Sequence, residues 1–402
     1  MDISEKIPFF RMPRNKREQL GNYSLMAAVF ILTTAYFHFY SWYSLLAPYG
    51  TLVAAVFLIV TFFCYTDIDQ ALRDPAFLLM VFADLYALVN LFIIGSDKGA
   101  ILTIADFLLI LYLANKVSLS ERQMEVCAVY IGIFFIYWTI DVKGYFKGYN
   151  TNYGGLVLIS GFIFLIYEAE LLYERLRTAA NSRYKPATVR TAELLLFYVA
   201  FRIIAWYRSR CALVGLVVFL VLLLIPKGFW KNRVMYGLLT ALGSVGSVLF
   251  SAFYVWLGMR KEELTLRLFY KDIISGREEI WAELWEEYLK HPLTGIGSSY
   301  VMKLEWMEGL FEVHSGLLDI LIVHGLVVFI ITCTFLVFRL LRIREICTVD
   351  TVSKTAMAGI FAMLFTAFME NYIIVAPFSL MLLMLFSFIN RRLERLQLMA
   401  DT

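Results

Sequence analysis

Apolar runs long enough to cross a bilayer recur along the whole chain, and polar residues gather in the short intervals between them. The stretch from Leu213 to Pro226 carries no charge at all. A helix needs roughly 20 such residues to span the hydrocarbon, whereas the strands of a membrane barrel show only a weak period-two alternation. The runs here are continuous, which selects helices. Spans are expected at about 24–46, 49–66, 75–95, 99–114, 124–141, 154–172, 191–207, 211–226, 234–257, 316–338, 355–372 and 376–390. Those near 99–114, 191–207 and 376–390 are short, as a re-entrant segment would be. The fold class is all-α: a polytopic membrane protein of about twelve helices with one large loop, 258–315.

Composition agrees. Of 402 residues, 60% are hydrophobic and 17% charged, with a mean hydropathy of +0.71. A soluble domain carries about 25% charged residues, so lipid must be the solvent for much of this surface. The net charge of +3 suggests no nucleic-acid partner. The placement of Lys and Arg is more telling. With the N-terminus inside, inner segments hold 23 of them and outer segments 12, with Arg202 inside a span. Seven of the outer set sit in loop 258–315, where the positive-inside bias has little grip. Both termini are therefore expected in the cytoplasm. No cleavable signal peptide is evident, and residues 1–20 read as a basic lead-in to the first span. Cys64, Cys127, Cys211, Cys333 and Cys347 lack metal-site spacing and read as packing residues. No repeat or linker divides the chain, so 1–402 is read as a single domain.

Loop 258–315 holds most of the candidate chemistry. Ser275 followed by Glu278 has the spacing of a capping box. Trp281, Trp285, Tyr288 and Leu289 then mark one face of an amphipathic helix that His291-Pro292 ends. Arg277 lies in its first turn, where backbone N–H groups and a guanidinium can converge on phosphate. An ion pair with a nearby Glu is the plainer reading. Arg202, Arg208 and Arg210 cluster at the outer end of the seventh span, against the charge bias. An intramembrane arginine marks a functional site, unless it snorkels to headgroups. His314 stands where the loop enters the tenth span and can serve as a base near neutral pH. Glu312 and Asp319 are rival bases. His324 is expected to be a packing residue, His291 a helix cap and His38 an interfacial group. Asp67-Ile68-Asp69 has the spacing of metal-binding pairs in sugar transferases but falls on the opposite, inner side. Tyr145, Phe146, Tyr149, Tyr153, Tyr300 and Trp306 crowd the outer loops, where rings stack on sugars or form an interfacial belt.

The order of these elements resembles the O-antigen ligase and polymerase superfamily. The resemblance rests on Arg277 and Trp281, then His291-Pro292-Leu293-Thr294-Gly295-Ile296-Gly297, then His314-Ser315 with Gly325, preceded by Ser209-Arg210. It covers roughly 200–330; the first half adds only apolar spans and Asn150 and Asn152. Ser315 departs from the commoner Asn, and Val328 from a small residue. The resemblance implies a metal-independent, inverting glycosyltransferase with no cofactor. It would act at the outer face of the bacterial cytoplasmic membrane. The donor would be a glycan on polyprenyl diphosphate. The acceptor would be a second lipid-linked repeat (polymerase), or lipid A core or protein (ligase). Membrane lipid and other polysaccharide-assembly proteins are the remaining expected partners. His314, Arg210 and Arg277 are the expected catalytic residues. Arg202, Arg208, Ser209, Gly295, Gly297, Tyr300 and Trp281 are the expected substrate contacts. A transporter or lipid-glycan flippase is the alternative from another class; the absence of two similar halves weighs against it.

Overall fold

Helix ends follow local capping chemistry. Asp74 accepts from the Ala76 N–H at 3.0 Å, Pro75 takes the first helical position, and Gly95 at φ 68° closes that helix. Asp97 accepts from Gly99 N, Asn232 from Val234 N and Asp350 from Ser353 N at the starts of three more. Each side-chain oxygen satisfies a backbone donor that the first turn leaves unpaired.

The computed structural model describes residues 12–37, 46, 49–140, 151–178, 186–261, 267–268, 271–272, 274 and 276–401. Among these, twelve helices match the twelve expected spans. They are α1 (Arg14–Phe37), α2 (Gly50–Tyr65), α3 (Pro75–Ile94), α4 (Lys98–Leu113), α5 (Glu121–Ile140), α6 (Thr151–Thr178), α7 (Pro186–Tyr207), α8 (Arg210–Leu224), α9 (Arg233–Gly258), α11 (Gly316–Arg342), α12 (Thr351–Thr366) and α13 (Ala376–Asp401). The amphipathic helix α10 (Arg277–Tyr288) follows a two-residue antiparallel ladder, Arg267–Leu268 with Lys271–Asp272. Seven helices are long and apolar enough to cross a membrane alone. The 15 residues of α8 reach only about 22 Å at 1.5 Å per residue, so that helix relies on its neighbours.

Three expectations need correction. The first helix begins at Arg14, ten residues before the expected 24, so the basic lead-in is itself helical; its expected end at 46 and His38 lie outside the described residues. Of the three spans expected to be short, α7 and α13 are 22 and 26 residues long, whereas α4 stays at 16. The broken span is instead α11, which leaves helical geometry at Gly325.

The middle of the bundle is α6, α11, α12 and α13, where buried side chains dominate. At the rim, α3 buries only Met80, Ala83, Ala87 and Asn90, one stripe of a helix. Its exposed Phe82, Leu85, Phe92 and Ile93 face the place where lipid would be. Polar contacts tie the connections into two sets. Arg17 pairs with Asp67 at 2.7 Å, Ser118 donates to Glu394 at 2.8 Å, and Arg392 reaches Asp350 and Glu174. All of these were assigned to the inner side by the charge count. The second set, assigned outside, gathers around residues 277, 314 and 370.

Candidate active site

The HPLTGIG stretch and the break in α11 are one structure. A positive φ of 83° at Gly325 interrupts the helix and frees the carbonyls of Ile322 and Val323. The incoming loop takes them: Ile296 N–H donates to Ile322 O at 2.8 Å and Gly297 N–H to Val323 O at 3.2 Å. Leu326 N–H donates to Pro292 O at 2.9 Å on the other flank. Irregular backbone inside a span persists only where protein satisfies it, and here the loop does so. A Cβ on Gly295 would stand 2.7 Å from Gly325 N, and one on Gly325 would collide with the Leu293 carbonyl. Gly297, at φ 74°, packs on Ser96. Helix α3 holds the loop from the side, Tyr86 donating to Leu293 O and Asn90 to Thr294 O, both at 3.0 Å. Gly295 and Gly297 thus approach the chain's own backbone.

Helix α10 begins at Gly276, left-handed at φ 93°, whose N–H donates to Glu278 Oε2 at 2.8 Å. The capping acid is the expected one, but the cap sits one residue later than Ser275, which lies outside the described residues. Trp281 is fully buried against Phe250 and Tyr254, and its indole N–H donates to Val313 O at 2.7 Å. Trp281 therefore fixes the backbone immediately before His314. That backbone is strained: His314 has φ 55°, a region costly for a residue with a side chain.

These supports bring Arg277 and His314 to one carboxylate that sequence reasoning passed over, Glu370. An Arg277 Nη2 donates to Glu370 Oε1, and Asn152 Nδ2 donates to the same oxygen at 2.8 Å. His314 Nδ1 lies 3.8 Å from Glu370 Oε2 and 3.2 Å from Glu312 Oε1, aligned for a hydrogen bond with neither. Arg277 and Glu370 are each 9% exposed and His314 20%. The Arg277 Nε is buried without a hydrogen-bond partner. Beyond Glu370, Asn371 accepts from Ser315 N at 2.7 Å and donates to Asp319 at 3.4 Å. Gly316 N–H donates to Ala367 O and Glu370 O, pinning the start of α11 to the end of α12. The signal for Glu370 was present: an acidic residue inside the expected span 355–372 is costly unless it serves a purpose. Asn152 was noted only as part of the resemblance.

The other expected residues distribute unevenly. Arg210 opens α8, with buried Ser209 before it and Arg208 in the left-handed turn at φ 54°. Helix α8 packs on α12, Gly215 lying against Thr366, so the start of α8 lies toward the end of α12 that precedes Glu370. Arg202 and Arg208 are exposed. Tyr300 donates to Glu283 at 2.9 Å, and burial together with that carboxylate pushes its hydroxyl above the usual tyrosine range. Trp306 donates to Glu279. His324 is buried and His291 exposed. The five cysteines are buried and free. Asp67 is engaged by Arg17 in the other set of contacts. Tyr145, Phe146, Tyr149 and Asn150 lie outside the described residues.

Chemically, the cluster holds an imidazole between two carboxylates beside a desolvated guanidinium. The imidazole lies within reach of both carboxylates through Nδ1, which leaves the other ring nitrogen open to a hydroxyl. The guanidinium offers fixed positive charge in a poorly hydrated place. Residues 195–333 match the family model described as O-antigen ligase. That stretch contains Arg210, Arg277, the HPLTGIG loop, His314 and Gly325; Asn152 and Glu370 fall outside it. No curated protein and no solved structure matches the chain.

Proposed function

We propose that this chain, a multi-pass inner-membrane member of the O-antigen ligase and polymerase superfamily through residues 195–333, is a polysaccharide polymerase. It transfers a glycan from polyprenyl diphosphate to a lipid-linked acceptor at the outer face of the membrane. The observation that carries this reading is the buried Arg277–Glu370 pair with His314 Nδ1 3.8 Å from the same carboxylate.

In this reading the acceptor hydroxyl loses its proton to His314 and its oxygen bonds the anomeric carbon. The bond from that carbon to the diphosphate oxygen breaks, and the electron pair leaves with polyprenyl diphosphate. One displacement inverts the centre. Arg277 and Arg210 meet the charge that grows on the leaving group, the interaction with most to contribute. Glu370 holds Arg277 in place and stabilises His314 once it is charged. The printed description of the matched family favours a second reading, a ligase whose acceptor is lipid A core or protein. Transport is disfavoured on physical grounds. The broken helix α11 would suit a transporter's site, but its freed carbonyls are taken by the HPLTGIG loop.

The test is an assay of purified protein with lipid-linked repeat units and no ion gradient. The polymerase reading expects chain growth on a lipid-linked acceptor; growth only on lipid A core selects the ligase. Arg277→Lys and Arg210→Lys are expected to restore little activity relative to alanine variants, because a point charge lacks the planar fork that matches phosphate. Normal transfer by both alanine variants would move the phosphate site elsewhere.

A further inference from the structure

A cavity of about 290 Å³ opens beside the cluster and takes no part in the chemistry derived above. It lies between α2, α4, α11 and the connection that follows Glu370, and Thr51, Thr103, Phe311, Asp319, His324 and Asn371 are among its walls. Arg277 reaches the cluster from α10, and Arg210 opens α8, which packs on α12. Neighbouring side chains diverge at the boundary: Glu370 is held by Arg277, whereas Asn371 turns to Ser315 N and Asp319. The segment 312–319 and the pair Glu370-Asn371 therefore separate an arginine side from a side lined by hydroxyl, amide, carboxylate and imidazole groups.

The cavity has an unspent polar group. His324 is 4% exposed, lines the cavity, and has no hydrogen-bond partner among the described residues. Burying an unpaired imidazole is unfavourable unless something occupies the space in front of it. Asp319 brings a carboxyl group and Asn371 both donors and acceptors. Phe311 adds an apolar face and rests edge-on to Tyr300 at 6.3 Å. The volume sits near the lower end of the roughly 300–1,000 Å³ range of small-molecule pockets, the size for one sugar ring. Polyhydroxylated rings need this mixture, since their hydroxyls donate and accept while their C–H faces stack on aromatic rings.

Resting on the glycosyl-transfer reading, we propose that this cavity is the subsite for the acceptor's terminal sugar. Asp319 and Asn371 bind its hydroxyls and His324 supplies a further hydrogen bond. The attacking hydroxyl is presented toward His314 from the side opposite the arginines, as an inverting displacement requires. Asp319 is thus a binding residue and the imidazole of His314 the base.

The experiment uses the purified full chain in detergent, with lipid-linked donor saturating. The varied acceptor is a repeat unit lacking diphosphate, which cannot act as donor. Loss of the hydrogen bonds that the Asp319 carboxyl makes should raise the acceptor KM about tenfold in Asp319→Asn, with kcat and the donor KM changing less than about threefold. Ala100→Trp, which fills the cavity from α4 without removing a polar group, should shift the acceptor KM in the same direction. Saturation-transfer NMR with the delipidated repeat oligosaccharide should report contact in the wild type and lose it in Ala100→Trp, whether or not either variant turns over. Acceptor KM values within about twofold of wild type in both variants, or a loss confined to kcat in Asp319→Asn, would overturn the assignment. A wild-type chain that transfers nothing from lipid-linked donor would instead overturn the glycosyl-transfer reading beneath it.

Discussion

Glu370→Gln is the most informative single change. It keeps the side chain's shape and removes the charge that Arg277 and His314 share. Arg277 and Glu370 are each 9% exposed, so the guanidinium would be left in a poorly hydrated place with only a neutral partner. Breaking a buried pair by removing one member costs about 3–5 kcal/mol, whereas replacing both members by apolar groups of similar volume is close to neutral. Arg277→Met should therefore destabilise the protein about as much as Glu370→Gln, and the double change to Met at both positions should return most of that loss. Transfer should behave differently. All three variants lack either the fixed cation or the carboxylate behind His314, and losing one such preorganised electrostatic group costs roughly 100- to 1,000-fold in rate. Thermal unfolding in detergent and turnover of lipid-linked repeats, measured on the same preparations, separate the two effects. Recovery of stability without recovery of turnover is the expected pattern. A double variant no more stable than the singles would show that the pair is not energetically coupled. A Glu370→Gln protein keeping more than about a tenth of wild-type turnover, far short of the loss expected, would remove the carboxylate from the site.

His314→Ala should lose roughly 100-fold or more in transfer while still binding lipid-linked donor by filter retention, and retention of a tenth of the rate would shift the base to Glu312 or Asp319. Gly325→Ala places a Cβ against the Leu293 carbonyl at φ 83°; the left-handed backbone alone costs about 1–2 kcal/mol, so a melting temperature equal to wild type would refute the loop-and-break account. Glu283→Cys should react with an impermeant thiol reagent on intact spheroplasts and Glu345→Cys should not, and the reverse pattern would invert the proposed orientation.

The twelve helices were legible because lipid leaves a continuous apolar run, and because Asp74, Asp97, Asn232 and Asp350 cap helices as local chemistry demands. The start of α1 was misjudged because a charged first turn lowers hydropathy without ending a helix. The break in α11 was invisible for a related reason: apart from His324 the sequence around Gly325 is apolar, and a partner loop 30 residues earlier is what stabilises a positive φ there. In the site, Arg277, His314 and the glycines stood out as oddities of type and position. Their common partner did not. Glu370 is one carboxylate at the end of an apolar run, and its meaning comes from a contact with a residue 93 positions away. Trp281 was expected among the substrate contacts because exposure cannot be read from a single helical face; in place it is buried and holds Val313.

That last contact joins the two halves of the argument. On the proposed reading His314 must meet a hydroxyl at a fixed distance, yet it sits on neither a helix nor a strand but on strained backbone at φ 55°. Such a conformation persists only when its surroundings over-determine it. Here three constraints do so: Trp281 grips the carbonyl before His314, Asn371 grips the N–H after it, and Ala367 and Glu370 grip the next one. The first constraint depends on α10 being seated. The HPLTGIG loop that leaves α10 is locked into the break of α11, the same helix that His314 introduces. The glycines of that loop therefore act on His314 at a distance, by making the outer loop and the span a single rigid unit. On this account Gly295→Ala should lower turnover through the position of His314, and raising the concentration of donor should not restore it. Restoration at high donor would mean instead that Gly295 contacts the substrate.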